Sequence, residues 1–187
     1  MQSLNLTNHF LIAMPGLADP NFYKTVTYIC AHNEDGAMGI VINRPLDLML
    51  GDVFSQLSLE IHQDLIEAMP VYQGGPVQID RGFVIHRQEG RLWNSSINVS
   101  NEIGITTSRD ILEALAAGKG PEKSLFALGY AGWGAGQLES ELKDNAWLSG
   151  PMNPDIIFNT PWANRWESAA LLLGVDLDNL SSDIGHA

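Results

Sequence analysis

The first pair of residues whose types could do chemistry together is Cys30 and His32, in the segment TVTYICAHN. A thiol and an imidazole two apart on a strand share a face, as a nucleophile and its base would. Extended geometry sets their Cα atoms about 6.6 Å apart, whereas a working pair needs heavy atoms about 2.6–3.2 Å apart. Direct pairing therefore requires a bulge or bent side chains. The alternative is a small buried thiol and a histidine at a hairpin end. Ser140 and Lys143 match S-x-x-K, but the S-D-N and K-T-G motifs that accompany it are missing, and Ser140 falls inside a helical segment, so the match is read as chance. No G-x-S-x-G occurs, and no catalytic residue is assigned.

Metal chemistry finds little support. His9, His32, His62, His86 and His186 are scattered without H-x-H or H-E-x-x-H spacing, and one cysteine cannot build a structural zinc site. Asp176 and Asp178 lack the rest of a calcium loop. No metal and no cofactor is expected.

The stretch GYAGWGAGQLESELKDNAWL raises the question of a phosphate cradle, because an apolar strand, a glycine-rich corner and a helix follow one another. Gly132, Gly134 and Gly136 give GxGxG, with Gln137 where a third fingerprint glycine would stand, and no GK[ST] is present. Trp133 is bulky for a loop that must admit a pyrophosphate. Glu139 and Glu141 lie near the helix start and would repel one. Glu139 is also placed to pair with Lys143. The corner is therefore expected to be structural, with Trp133 packed on a neighbour.

Three arginines occupy more suggestive positions. Arg44 ends a strand before Pro45, Arg81 lies in Asp80-Arg81-Gly82 at a strand start, and Arg109 sits in the first turn of a helix, where a cation opposes the dipole. Internal pairing would account for them: Arg44 with Asp47, Arg81 with a carboxylate elsewhere, Arg109 with Glu113. The sharper expectation is a cleft that holds a small anion, built from Asn43, Arg44, Asp80, Arg81, Thr107, Ser108 and Arg109, because the guanidinium fork suits carboxylate or phosphate.

The elements that must position these groups follow from pattern. HFLIAMP, TVTYICAHN and GAMGIVINRP read as strands, the last two joined at EDG as a hairpin. Residues 50–69 suit one or two short helices. PVYQGGPVQIDRGFVIHR holds two strands, and LWNSSINVSNEIGITT a meander. Ser108 to Ala117 is a helix capped by Thr107 or Ser108. SLFALGY is a buried strand, Gly136 to about Trp147 a helix, and DIIFN a short strand. Thr160 caps a last helix opening with Pro161, whose inner face carries Trp162, Trp166, Ala169, Ala170 and Leu173. Trp147, Trp162 and Trp166 are expected in the core or an interface. Early hairpins with later mixed elements give an α+β class.

The 187 residues suit a single domain spanning 1–187. With 22 acidic against 10 basic residues and a net charge of −12, direct DNA binding is disfavoured, as is an anionic membrane surface. A lone cysteine, no basic segment ahead of the first apolar stretch and no apolar run of about 20 residues point to a cytoplasmic protein.

FLIAMP, YICAHNEDGAMGIVINRP, GGPVQIDRGFVIH, TTSRDILEAL, GYAGWGAGQLESELKDNAWL and the closing GHA together resemble the YqgE/AlgH family of bacterial proteins over almost the whole chain. The resemblance implies a mixed sheet curled into a pseudo-barrel with flanking helices, and no catalytic residues. Some members of that family carry the label of transcriptional regulator, linked to exopolysaccharide control. The expected function is a non-catalytic regulatory or small-ligand-binding protein acting indirectly on gene expression, with a small anionic ligand or a protein as partner. A hydrolase-like enzyme using polar loop-end residues and a direct DNA-binding regulator are the alternatives.

Overall fold

The computed structural model describes residues 4–184, with side-chain environments as far as residue 180; the closing GHA and His186 lie outside the described residues. In chain order the strands are β1 (His9–Ala13), β2 (Val26–Asn33), β3 (Gly36–Val41), β4 (Pro45–Met49), β5 (Pro70–Gln73), β6 (Val77–Arg87), β7 (Ser96–Asn98), β8 (Ile103–Thr106), β9 (Ser124–Gly134) and β10 (Trp147–Pro151). The helices are α1 (Leu50–Gln56), α2 (Asp64–Glu67), α3 (Arg109–Ala116), α4 (Gln137–Lys143), α5 (Pro154–Phe158), α6 (Arg165–Leu171) and α7 (Leu177–Ile184).

One sheet runs β10-β1-β2-β3-β9-β6-β8-β7, with β5 on β9 and β4 on β5. Its pairings are antiparallel except β5 with β9, which is parallel. The sheet curls into a half-barrel, and the class is α+β, as the sequence pattern implied. Strand β9 joins the two halves: Ala131–Gly134 pair with β3, while its earlier residues pair with β5 and β6.

Alternation along the strands distributes the core. Phe83 and Ile85 of β6 face the main cluster with Tyr28, Ile105 and α6 residues Trp166, Ala169 and Ala170. Val84 faces the other way, with Phe126, Phe54 of α1, and Ile111 and Leu115 of α3. This period-2 division puts α1 and α3 on one side of the sheet. A third cluster gathers Trp133, Trp147, Leu138 and Ile29 under α4.

Several elements differ from their sequence signals. The strand ending at Gly134 absorbs most of the glycine corner, because Gly132 and Gly134 are ladder positions opposite Met38 and Gly36. Helix α4 stops at Lys143, and Trp147 opens β10 rather than ending the helix. DIIFN is mostly helix: Asn153 accepts from the Asp155 amide and Pro154 takes the first helical position, a start signal that outweighs the β-branched run. Pro161 is extended and precedes a short 3-10 turn, so α6 begins only at Arg165 and Trp162 is 47 % exposed. Pro45 opens β4 opposite Tyr72, because a first strand position tolerates the missing amide.

Candidate functional site

Between α1 and α3, over the face of the sheet that carries Val84 and Phe126, lies a cleft of about 410 Å³. Phe126 and Leu128 of β9 and Val84 of β6 line it from the sheet; Val53 and Leu57 line it from α1 and the residue after it, and Leu112 from α3. The polar lining comes from Gln56, Asp80, Thr106, Thr107, Ser108 and Arg109. An apolar hollow of this size with a few convergent polar groups is the usual form of a small-molecule site.

Local irregularities supply the polar groups. Strand β6 loses register against β9 between Val77 and Gly82, so residues 78–81 bulge out and set Asp80 at the cleft. Gly82 has no side chain because a Cβ there would stand 2.9 Å from Phe126 Cζ. At the start of α3, Ser108 caps no amide with its hydroxyl; it donates to Asp110 Oδ1 at 2.5 Å. Asp110 also accepts from the Asn94 and Ile111 amides, and these bonds outweigh burial to hold its carboxyl below the usual range. Arg109 bonds Glu113 Oε1 through Nε at 3.1 Å and the Leu57 carbonyl through Nη2 at 2.7 Å, tying α3 to the end of α1.

Of the seven residues considered for one anion cleft, the structure gathers Asp80, Thr107, Ser108 and Arg109. Asn43 and Arg44 line a different cleft, beside Trp162 and Trp166. Arg44 donates to the Pro20 and Tyr23 carbonyls rather than to Asp47. Arg81 is exposed, with its guanidinium 5.3 Å from the Phe83 ring centroid and a 3.4 Å contact to Gln78. The three guanidinium groups thus do not converge: Arg109 lines the α1–α3 cleft, Arg44 a separate one, and Arg81 lies over Phe83. The contribution of Gln56 and the apolar walls left no motif in the sequence.

Behind the cleft, Thr106 Oγ1 lies 2.8 Å from His86 Nε2 and 2.6 Å from Ser96 Oγ, while His86 Nδ1 lies 3.1 Å from the Arg87 carbonyl. With Nδ1–H donating to that carbonyl, Nε2 accepts from the threonine. Burial pushes the His86 pKa below its ordinary 6.5, against the Arg87 hydrogen bond and the nearby Glu89 charge. Below pH of about 6.5 the unfolded chain therefore takes up a proton that the folded protein refuses. Unfolding free energy is expected to fall between pH 7 and pH 5, with a shallower fall in His86→Gln; urea unfolding at several pH values measures both slopes.

Cys30 and His32 do not pair. A β-bulge separates Ile29 from Ala31, and the extra residue changes the side from which His32 is reached. Cys30 packs beside Tyr28 with its thiol on the Tyr28 carbonyl, and burial drives its pKa far upward. His32 instead accepts from the Leu6 amide through Nδ1 and contacts Glu139 through Nε2. Glu139 is thus committed to His32, not to Lys143, and its own amide and His32 hold its carboxyl low.

The glycine corner is filled from within. Trp133 packs against Phe22 and Trp147, and both indole N–H groups donate to Glu141 Oε1, at 3.1 and 3.0 Å. Gln137 donates to Glu141 Oε2 and accepts the Gly134 amide, which a phosphate would have needed.

The fold and these motifs define an AlgH-like protein: the model of that family matches residues 10–178, and the chain belongs to it. It is 59% identical over 185 residues to a UPF0301 protein of Thioalkalivibrio sulfidiphilus, covering 99% of this chain and 98% of the relative. A UPF0301 protein of Nitrosococcus oceani is 57% identical over 180 residues, 96% of each chain. The solution structure of AlgH from Pseudomonas aeruginosa superposes with a TM-score of 0.80 at 52% identity, covering 97% of this chain and 96% of that one. A crystal structure from Corynebacterium diphtheriae shares the fold at 18% identity, with a TM-score of 0.75 and coverage of 97% and 94%. Among the described residues no helix is long and apolar enough to cross a membrane.

Proposed function

We propose that the protein is a non-catalytic, cytoplasmic small-ligand-binding protein that acts on gene expression indirectly, by presenting its occupied state to a protein partner. The cleft between α1 and α3 carries this reading. Its apolar walls suit the body of a small molecule, and Thr107, Ser108 and Arg109 suit its polar end. Arg109 is already paired with Glu113, and Asp80 stands at the same cleft, so the fitting ligand is polar or zwitterionic at that end rather than strongly anionic. The −12 net charge argues against direct DNA contact.

A metabolite screen by thermal shift tests the reading. At about 100 times its Kd a ligand stabilises by about 2.7 kcal/mol, which raises Tm by roughly 5–10 °C for a chain of this size. Leu112→Trp, which fills the cleft from α3, is expected to abolish that shift. A shift that survives the substitution places the ligand elsewhere.

One contact favours a second reading, ester hydrolysis: the 2.8 Å approach of Thr106 Oγ1 to His86 Nε2 has nucleophile–base geometry, and Thr106 lines the cleft. Against it, the threonine is fully buried and the imidazole is oriented by a carbonyl rather than a carboxylate. Turnover of p-nitrophenyl acetate that disappears in Thr106→Val would establish it.

A further inference from the structure

A second cleft, of about 420 Å³, opens where the β1–β2 connection meets the 3-10 turn before α6. Tyr23, Lys24, Arg44, Trp162, Trp166 and Glu167 line it. Lys24 Nζ stands 5.3 Å from the Tyr23 ring centroid and 5.6 Å from that of Trp166. Among the described residues neither Lys24 nor Arg44 forms an ion pair; Asp19 acts on Arg44 only at longer range. Trp162 and Tyr23 are each 47 % exposed. In a chain with 22 acids and 10 bases, this hollow gathers two cations without an ion pair, one carboxylate and three aromatic rings.

The surroundings hold these cations in place. Arg44 is fixed by the Pro20 and Tyr23 carbonyls at 2.7 and 2.9 Å, bonds that position the guanidinium without neutralising it. Asn43 accepts the Val26 amide and donates to the Lys24 carbonyl, both at 2.9 Å, pinning the loop to the strand. Lys24 adopts φ 55°, a left-handed conformation that a side chain enters at a cost. Aromatic faces attract cations but cannot replace a counter-anion.

We infer that this cleft binds a small aromatic anion: a planar ring stacked on Trp162, with its carboxylate or phosphate between Lys24 and Arg44. Stacking and charge-assisted hydrogen bonding act together here, so neither a neutral ring nor an isolated anion satisfies the site. The site is separate from the one between α1 and α3 and does not depend on it.

The test is NMR titration of the indole N–H signals of Trp162 and Trp166 with 1-naphthoate and 1-naphthyl phosphate, with 1-naphthalenemethanol and inorganic phosphate as controls. Saturable shifts are expected with either aromatic anion, and the stronger of the two identifies the acid group. Both controls should need at least about tenfold higher concentration, the worth of one charge-assisted bond. Lys24→Asn keeps a residue that tolerates the left-handed backbone and should weaken binding about tenfold; Trp162→Ala tests the stack independently. Leu112→Trp should leave both titrations unchanged. The inference is overturned if the neutral alcohol binds as tightly as the acids, if Lys24→Asn has no effect, or if neither acid moves these indoles.

Discussion

Glu141→Leu is expected to destabilise the protein by about 2–4 kcal/mol, from buried donors left without partners. Glu141 Oε1 accepts from Trp133 Nε1 and Trp147 Nε1, and Oε2 accepts from Gln137 Nε2. Trp133 and Trp147 are 5% and 4% exposed, so water cannot readily replace the carboxylate. Leucine fills a similar volume but accepts nothing, which isolates hydrogen bonding from packing. Glu141→Gln retains one oxygen for the indoles and loses the acceptor for Gln137, so a cost of about 1 kcal/mol is expected. Urea unfolding, with indole fluorescence as the probe, measures both. Equal stability of Glu141→Leu and the parent would show that the tryptophans need no common acceptor.

The second large effect lies at the crossing of the β5–β6 connection over β9. Gly129 has φ 79°, and a Cβ there would stand 2.5 Å from the Gly75 carbonyl oxygen and 3.1 Å from that of Val77. Both obstacles are backbone, so neither can rotate away. Overpacking costs about 1–3 kcal/mol and the left-handed conformation about 1–2 kcal/mol; Gly129→Ala should lose about 2–5 kcal/mol in all. Gly90→Ala is the control. Gly90 has φ 77° but a Cβ would meet nothing within 4 Å, so only the conformational share should appear. If the two variants lose equal stability, the close approach contributes nothing.

Much of the sheet was legible from composition: TVTYICAHN, GFVIHR and the meander through Ile105 are rich in β-branched and aromatic residues. The sequence motifs carried the family as well. Where local signals misled, a tertiary partner decided. The glycines at 132 and 134 resembled a loop, yet β3 offers them a ladder. DIIFN has strand composition, yet an asparagine cap and a proline start a helix. The candidate site was half legible. Thr107, Ser108 and Arg109 stood out because they begin a helix, and Asp80 because it stands beside Arg81 at a strand start. Their separation from Arg44 and Arg81 depended on a bulge and a loop crossing, which leave no periodic trace. Cys30 and His32 show the same limit, since one inserted residue at Ile29/Ala31 breaks the alternation that would have put them on one face.

We propose the cleft between α1 and α3 as a ligand site, whereas the corner before α4 is occupied by its own side chains. Amide chemical-shift mapping with the ligand found by thermal shift, and in parallel with ATP, tests it most directly. Saturable shifts clustered on Gly82 and residues 106–109, with Gly134 and Gln137 unmoved by either compound, are the predicted result. A nucleotide that shifts Gly134 and Gln137 while the amides of 106–109 stay still would contradict it.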